Sequence, residues 1–296
     1  DEKWFTASYL NISTREAERW LEMLENARRF YPSKEQWEQK QKTLKEELKD
    51  PENKHYKYLQ NLDLLDLVDD ARLGLYNDHI TIPYFFKGQI INITQFCPGE
   101  TPKYRTSKGA LAGIVGTTKR FNPNLDYVVI AAGEKDMLSL TRKGFNTVTL
   151  LGGEKAKPIF NKKFFKDKKV YIAYDNDASG KIGGYDLAEW LYRYTTQIKV
   201  LNLGNRDNLL DEDFIKVAKE EKEDVTDYFV KYNRNDVDFW NLIDNTNWFI
   251  PTPKEDENSL QAIYKIKDQI ELLIKEIREK DSTEKKVKNA NKETSN

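Results

Sequence analysis

The sequence predicts an α/β protein, α+β overall, with a mostly parallel sheet flanked by helices, a helical and small β region before it and helices after it. Three observations carry this. Unbroken apolar runs alternate with helical patterns between residues 127 and 203, two β-rich runs surround a short turn between residues 80 and 94, and apolar residues three and four apart dominate both flanks. A strand buried on both faces reads as a continuous apolar run, so the first pattern is that of a parallel sheet covered by helices.

In chain order, Ser13-Thr14-Arg15-Glu16 is a capping box with Ile12 and Ala17 at staple positions, followed by an apolar face of Ala17, Trp20, Leu21, Leu24 and Ala27. A second box, Ser33 to Gln36, opens a more charged helix with Trp37, Leu44 and Leu48 on one side, and Asp50-Pro51 ends it. The pattern is helical again over 56–71, so 1–76 is expected as an N-terminal helical region. The runs 80–86 and 89–94 around Lys87-Gly88 are a hairpin signature and open a small β subdomain at 77–125. Over 126–205, strands at 127–132, 146–150, 169–174 and 198–203 alternate with helices at 136–143, 158–165 and 184–194. A helical extension is expected at 206–250. In 251–296, Leu260, Ile263, Ile266, Ile270, Leu273 and Ile277 fall three and four apart ahead of a polar tail. That helix either packs on its own core or docks onto a partner.

Composition narrows the chemistry. The 296 residues are 39% hydrophobic and 33% charged, within the globular range. No apolar run reaches the roughly 18 residues of a membrane span, and Asp1-Glu2-Lys3-Trp4 lacks signal-peptide character, so a cytoplasmic protein with no membrane partner is expected. A start at Asp1 rather than Met fits a processed form or a piece of a longer chain. Cys97 is the only cysteine and His55 and His79 are the only histidines, which excludes disulfide frameworks, Cys-rich zinc sites and CxxC redox motifs. A catalytic metal must then sit mainly among oxygen ligands, which favours Mg²⁺ or Mn²⁺. With 48 basic and 49 acidic residues, only a local basic stripe can signal nucleic acid. Lys103, Arg105, Lys108, Lys119 and Arg120 form one, since 103–120 contains no carboxylate. It is either a phosphate-binding stripe or a solvated loop. Trp4, Trp190, Trp240 and Trp248 are either core residues or platforms for bases.

In parallel α/β sheets functional groups collect beyond the carboxyl ends of strands. Glu134 follows the first apolar strand through Gly133. Asp175 and Asp177 follow another in Asp175-Asn176-Asp177-Ala178-Ser179-Gly180, where they are either two hard oxygen ligands for Mg²⁺ or a helix cap and turn.

Together, Ala132-Gly133-Glu134-Lys135-Asp136, Gly144-Phe145-Asn146, Leu151-Gly152-Gly153 and Tyr174-Asp175-Asn176-Asp177-Ala178-Ser179-Gly180 resemble the TOPRIM domain in order and spacing, over about 127–203. This domain is shared by bacterial-type primases, topoisomerases, OLD-family nucleases and RecR-like proteins. The resemblance implies Glu134 as catalytic acid or base, and Glu134, Asp175 and Asp177 as ligands of Mg²⁺ or Mn²⁺. Asp224 in Glu223-Asp224-Val225-Thr226-Asp227 looks like a further primase carboxylate, although the spacing to Asp227 departs from the DnaG-like pattern. Arg72, the hairpin, Pro102-Lys103-Tyr104-Arg105 and Lys108-Gly109 resemble the basic subdomain that precedes TOPRIM in DnaG and phage primases. Arg72, Lys103, Arg105, Lys108, Lys119, Arg120 and Lys135 are thereby implied as nucleotide- and template-binding residues. Gln95 stands where those primases often carry a basic residue. The expected activity is RNA primer synthesis from ribonucleoside triphosphates on a single-stranded DNA template, and a replicative helicase or another replication protein is the expected partner of the C-terminal helix. One cysteine cannot build the zinc ribbon usual in this family, so that domain is expected upstream or dispensed with, and no phosphate loop of a helicase motor is present. A TOPRIM nuclease and a non-catalytic nucleic-acid scaffold remain open alternatives.

Overall fold

The computed structural model describes residues 14–86, 89–100, 103–106, 112–113, 115–158, 162–203 and 223–251. These fall, save Pro251, within a compact unit spanning Asp1–Ile250. The expected C-terminal helix, Trp4, the Ser13 cap and Lys108 lie outside the described residues. Among the described residues, no helix is long and apolar enough to cross a membrane.

Three helices come first: α1 (Thr14–Phe30), α2 (Lys34–Glu47) and α3 (Lys54–Asn61). The Ser33 box forms as expected: Ser33 accepts from the Gln36 N–H while the Gln36 side chain accepts from the Ser33 N–H. The helix expected over 56–71 is shorter. It stops at Asn61 because Asp63 turns to a left-handed φ of 58° and the Leu64 N–H reaches back to the Leu59 carbonyl (2.9 Å), a Schellman closure that buries both leucines. Arg72 (φ 54°) closes the following turn in the same way, with Leu73 N–H on the Val68 carbonyl (2.9 Å).

The hairpin is present as β2 (His79–Phe86) and β3 (Gln89–Phe96). β1 (Gly74–Tyr76) and β4 (Tyr104–Thr106) complete an antiparallel sheet in the order β1-β2-β3-β4. Pro83 sits in the central strand β2, and the register slips just after it, between Tyr84 and Phe85.

The second sheet has the order β5-β7-β6-β8-β9, from β5 (Val115–Gly116), β6 (Tyr127–Ala131), β7 (Thr147–Leu150), β8 (Lys169–Ala173) and β9 (Ile198–Val200). Only β5 runs antiparallel. Alternation along β6 explains its unbroken apolar sequence. Val129 and Ala131 join a core with Met137, Leu138 and Leu140 of α4 (Glu134–Arg142), Phe239 and Ile243, and the inner residues of the small sheet. Val128 and Ile130 face a second core with Leu187, Ala188 and Leu191 of α5 (Ala178–Leu191). The last described helix, α6 (Asp236–Asn245), places Trp240 against Tyr127 and Phe145, so Trp240 is a core aromatic. Strand order reverses between β6 and β8, the position at which a parallel sheet leaves a crevice beyond its carboxyl ends.

Candidate active site

The loops after β6 and β8 flank that crevice, and the segment 223–227 closes it. Asn176 N–H donates to the Glu223 carbonyl (2.8 Å), which ties the β8 loop to this segment. From the other side, Asp136 in the first turn of α4 accepts from both the N–H (3.2 Å) and the hydroxyl (2.8 Å) of Thr226. Next to it Lys135 Nζ meets Asp224 Oδ2 at 2.5 Å, while the other Asp224 oxygen accepts from the Asp227 N–H (2.8 Å). Asp224 thus accepts a backbone hydrogen bond and an ion pair at once, and Asp227 contributes backbone to it.

Asp175 and Asp177 have different surroundings although they lie two residues apart. Asp177 caps α5, its Oδ1 accepting from the Gly180 N–H (2.9 Å). The helix begins at Ala178, six residues before the expected 184. Its first turns carry Gly180, Gly183 and Gly184, poor helix formers that mask the start. Geometry accounts for two of them: a Cβ on Gly180 would strike the Asp175 carbonyl oxygen, and one on Gly183 would lie 2.6 Å from the Glu154 carbonyl oxygen.

Asp175 is held in a crowded field. Burial comes first, followed by the charges of Asp136, Glu154, Asp224 and Asp177, and together they push its carboxyl up to about 7. Asp136 is raised by burial and then by Asp224, against the pull of Lys135. Burial pulls the Lys135 ammonium down, but Asp136 and Asp224 more than offset this and leave it above its ordinary value. Glu154 and Asp136 are the members that sequence reading missed. The signal for Glu154 was the turn before it, where Gly152 and Gly153 both take positive φ.

Glu134 opens α4 but turns elsewhere. Its Oε1 accepts from the Tyr84 hydroxyl (2.6 Å), and burial followed by the Glu134 charge keeps that phenol well above its ordinary range. Tyr84 reaches from β2, so this bond joins the small sheet to the carboxyl-end crevice.

The basic stripe is divided. Arg105 pairs with Glu100, and Arg120 with Asp70 at 2.5 Å, both carboxylates lying outside the acid-free segment. Lys103 and Lys119 are exposed. Arg72 stacks its guanidinium 4.4 Å from the centre of the Phe85 ring and offers its carbonyl to Trp37 Nε1, so it braces β2 against α2. Gln95 Nε2 donates to the Tyr76 carbonyl within the small sheet.

The carboxylates of the crevice are hard oxygen donors of the kind a divalent cation takes, but they do not form a ready-made group of three ligand atoms among the described residues. In its loops the buried oxygens Glu154 Oε1, Asn176 Oδ1 and Glu223 Oε2 have no hydrogen-bond partner among the described residues.

A family model described as Toprim-like matches residues 129–213. The chain carries a Toprim-like domain. No curated protein matches the chain. Among solved structures, the DnaG catalytic core is similar at 14% identity and a TM-score of 0.52, over 71% of this chain and 78% of that one. The DnaG primase catalytic domain bound to ssDNA is similar at 15% identity and the same TM-score, over 79% and 80%. The likeness is one of fold, and it extends beyond the Toprim-like domain to the elements that precede and follow it.

Proposed function

We propose that this chain is a primase-like nucleotidyltransferase core, joining ribonucleotides on a single-stranded DNA template with Mg²⁺ or Mn²⁺. The observation that carries the reading is the field around Asp175, where burial and four neighbouring carboxylates hold a carboxyl near neutrality. Such a field is relieved by a hard cation.

In this reading Asp175, Asp177 and Asp224 hold the ion, with Asp136 and Glu154 setting the field around them. The bound ion supplies charge neutralisation for triphosphate oxygens and for the leaving pyrophosphate. Asp177 is held at the N-terminus of α5 by its cap on the Gly180 N–H. Lys135 balances Asp224 until phosphate arrives and then offers its ammonium to phosphate. Glu134, fixed through one oxygen by Tyr84, has its second oxygen for the proton of the attacking 3′-hydroxyl. Lys103 and Lys119 contact template or triphosphate, while Arg105 and Arg120 shape the loops that present them. The fold likeness to DnaG catalytic cores supports the same reading.

The test incubates the full chain with single-stranded DNA, labelled ribonucleotides and Mg²⁺ or Mn²⁺ and resolves products by length. Metal-dependent oligoribonucleotides, absent with Asp175→Asn, are expected. A shortened template would make the protein a nuclease instead, and template binding without either product would leave a scaffold.

A further inference from the structure

A second group of ligand-type side chains lies at the end of the small sheet. In Cys97-Pro98-Gly99-Glu100 the Glu100 N–H donates to the Cys97 carbonyl (3.1 Å) and Gly99 takes a φ of 80°, a turn with proline at its second position and glycine at its third. The turn fixes Cys97 and Glu100 relative to each other. The register of β2 on β3 pairs Ile80 with Phe96, so His79 faces Cys97 across the strands. One ligand atom from each of His79, Cys97 and Glu100 lies within 4.8 Å of the other two.

The hydrogen bonds of His79 fix the orientation of its ring toward Glu100. Its Nδ1 is 2.6 Å from the Asn77 carbonyl oxygen, which can only accept, so Nδ1 carries a proton. Its Nε2 is 2.7 Å from Glu100 Oε1. That is hydrogen-bond distance, so the imidazole edge and the carboxylate already face each other. A backbone carbonyl on the far ring nitrogen is the arrangement that orients a metal-binding imidazole. Arg105 pairs with Glu100 Oε2, so Oε1 is the oxygen that faces His79.

We propose that His79, Cys97 and Glu100 form a binding site for Zn²⁺ or a similar borderline ion, distinct from the carboxylate cluster. Thiolate and imidazole select such an ion over Mg²⁺. Ligand atoms around tetrahedral zinc stand about 3.3–3.8 Å apart, so forming the site takes shifts on the order of an ångström, with His79 Nε2 and Glu100 Oε1 moving apart from 2.7 Å. Three protein ligands leave the fourth position to water or an anion, and a cavity of about 160 Å³ lined in part by His79 and Glu100 adjoins it, with Lys54, His55 and Tyr58 on its wall. The ion ties β2 to the turn that leads into β4. Cys97 N–H donates to the Lys103 carbonyl (2.7 Å) and Phe96 packs edge-on against Tyr104 (5.7 Å), so binding also orders the strand that carries Lys103 and Arg105. None of this depends on primase chemistry.

Cobalt(II) is the probe. Added to the full chain in excess Mg²⁺, one equivalent is expected to give a thiolate-to-metal charge-transfer band in the near ultraviolet, which Zn²⁺ abolishes by displacement. The band is expected to persist in Asp175→Asn and vanish in Cys97→Ser, and His79→Gln and Glu100→Gln are each expected to weaken binding by about tenfold or more. A wild-type chain that gives no thiolate band overturns the proposal. So does a band whose affinity is untouched by both His79→Gln and Glu100→Gln.

Discussion

Asp175 shows how far burial and neighbouring charge can move a single residue. Its carboxyl stands near 7 in the folded chain against about 4 in an unfolded one, because burial and the carboxylates of Asp136, Glu154, Asp224 and Asp177 oppose its charge. Between pH 4 and 7 the unfolded chain releases this proton while the folded chain keeps it, so stability falls as pH rises, and the loss is complete above about 7. The melting temperature of the metal-free protein is therefore expected to decline from pH 4 to 8. At pH 8 Asp175→Asn is expected to melt several degrees above wild type, and the two should converge near pH 4. Saturating Mg²⁺ should raise the wild type and leave Asp175→Asn nearly unmoved, because the ion binds only the folded state of a chain that keeps its ligands. Thermal scans with and without Mg²⁺ decide it, and a variant that melts below wild type at pH 8 without metal removes Asp175 from the centre of the field.

At the scale of elements, α5 carries the closest steric constraint on the site. Its early glycines let the helix N-terminus lie against the backbone of both Asp175 and Glu154. Gly180→Ala is expected to cost about 1–3 kcal/mol as the Asp175 loop is pushed away, and to weaken Mg²⁺-induced stabilisation with it. Ser179→Ala, exposed in the same turn, should stay within about 0.5 kcal/mol. Urea titrations of both variants check the contrast; equal effects would mean that the close approach is unimportant. The same glycines explain what could be read in advance. The strands β6, β7 and β8 were legible because both faces of the sheet are buried and their sequences are apolar without a break. The start of α5 was hidden, because residues chosen for close approach are poor helix formers. The end of α3 was hidden too, since its Schellman closure uses Asp63 where glycine would have advertised the turn. Asp175 and Asp177 stood out through their spacing after a strand. Asp136 and Glu154 did not, because their membership comes from the packing of α4 and of the Gly152-Gly153 turn on the β8 loop, which no local pattern encodes.

At the scale of the whole molecule, a shared core and the bond from Tyr84 to Glu134 join the small sheet to the Toprim-like domain. Tyr84→Phe is expected to cost about 1.5–3 kcal/mol, the range for a buried hydrogen bond to a charged group, and a double-mutant cycle with Glu134→Gln should show strong coupling in urea unfolding. Additive effects would mean that the bond does not form in solution. The charge pattern separates parts of the basic segment that look equivalent in sequence. Arg120 is bound to Asp70, while Lys119 beside it is exposed and has no ion-pair partner among the described residues. Each lysine that neutralises a phosphate of single-stranded DNA releases counterions and steepens the salt dependence by about 0.7 in the slope of log K against log salt. Lys103→Ala and Lys119→Ala are thus each expected to flatten that slope by about 0.7 without moving the unfolding midpoint. Arg120→Ala, which breaks a half-exposed ion pair, should lower stability by about 0.2–1 kcal/mol and leave the slope largely intact. Titrating fluorescent single-stranded DNA over a range of salt, alongside urea unfolding of each variant, separates the two roles. If Arg120→Ala flattens the slope as much as Lys119→Ala, the guanidinium leaves Asp70 for phosphate on binding, and the stripe works as one surface after all.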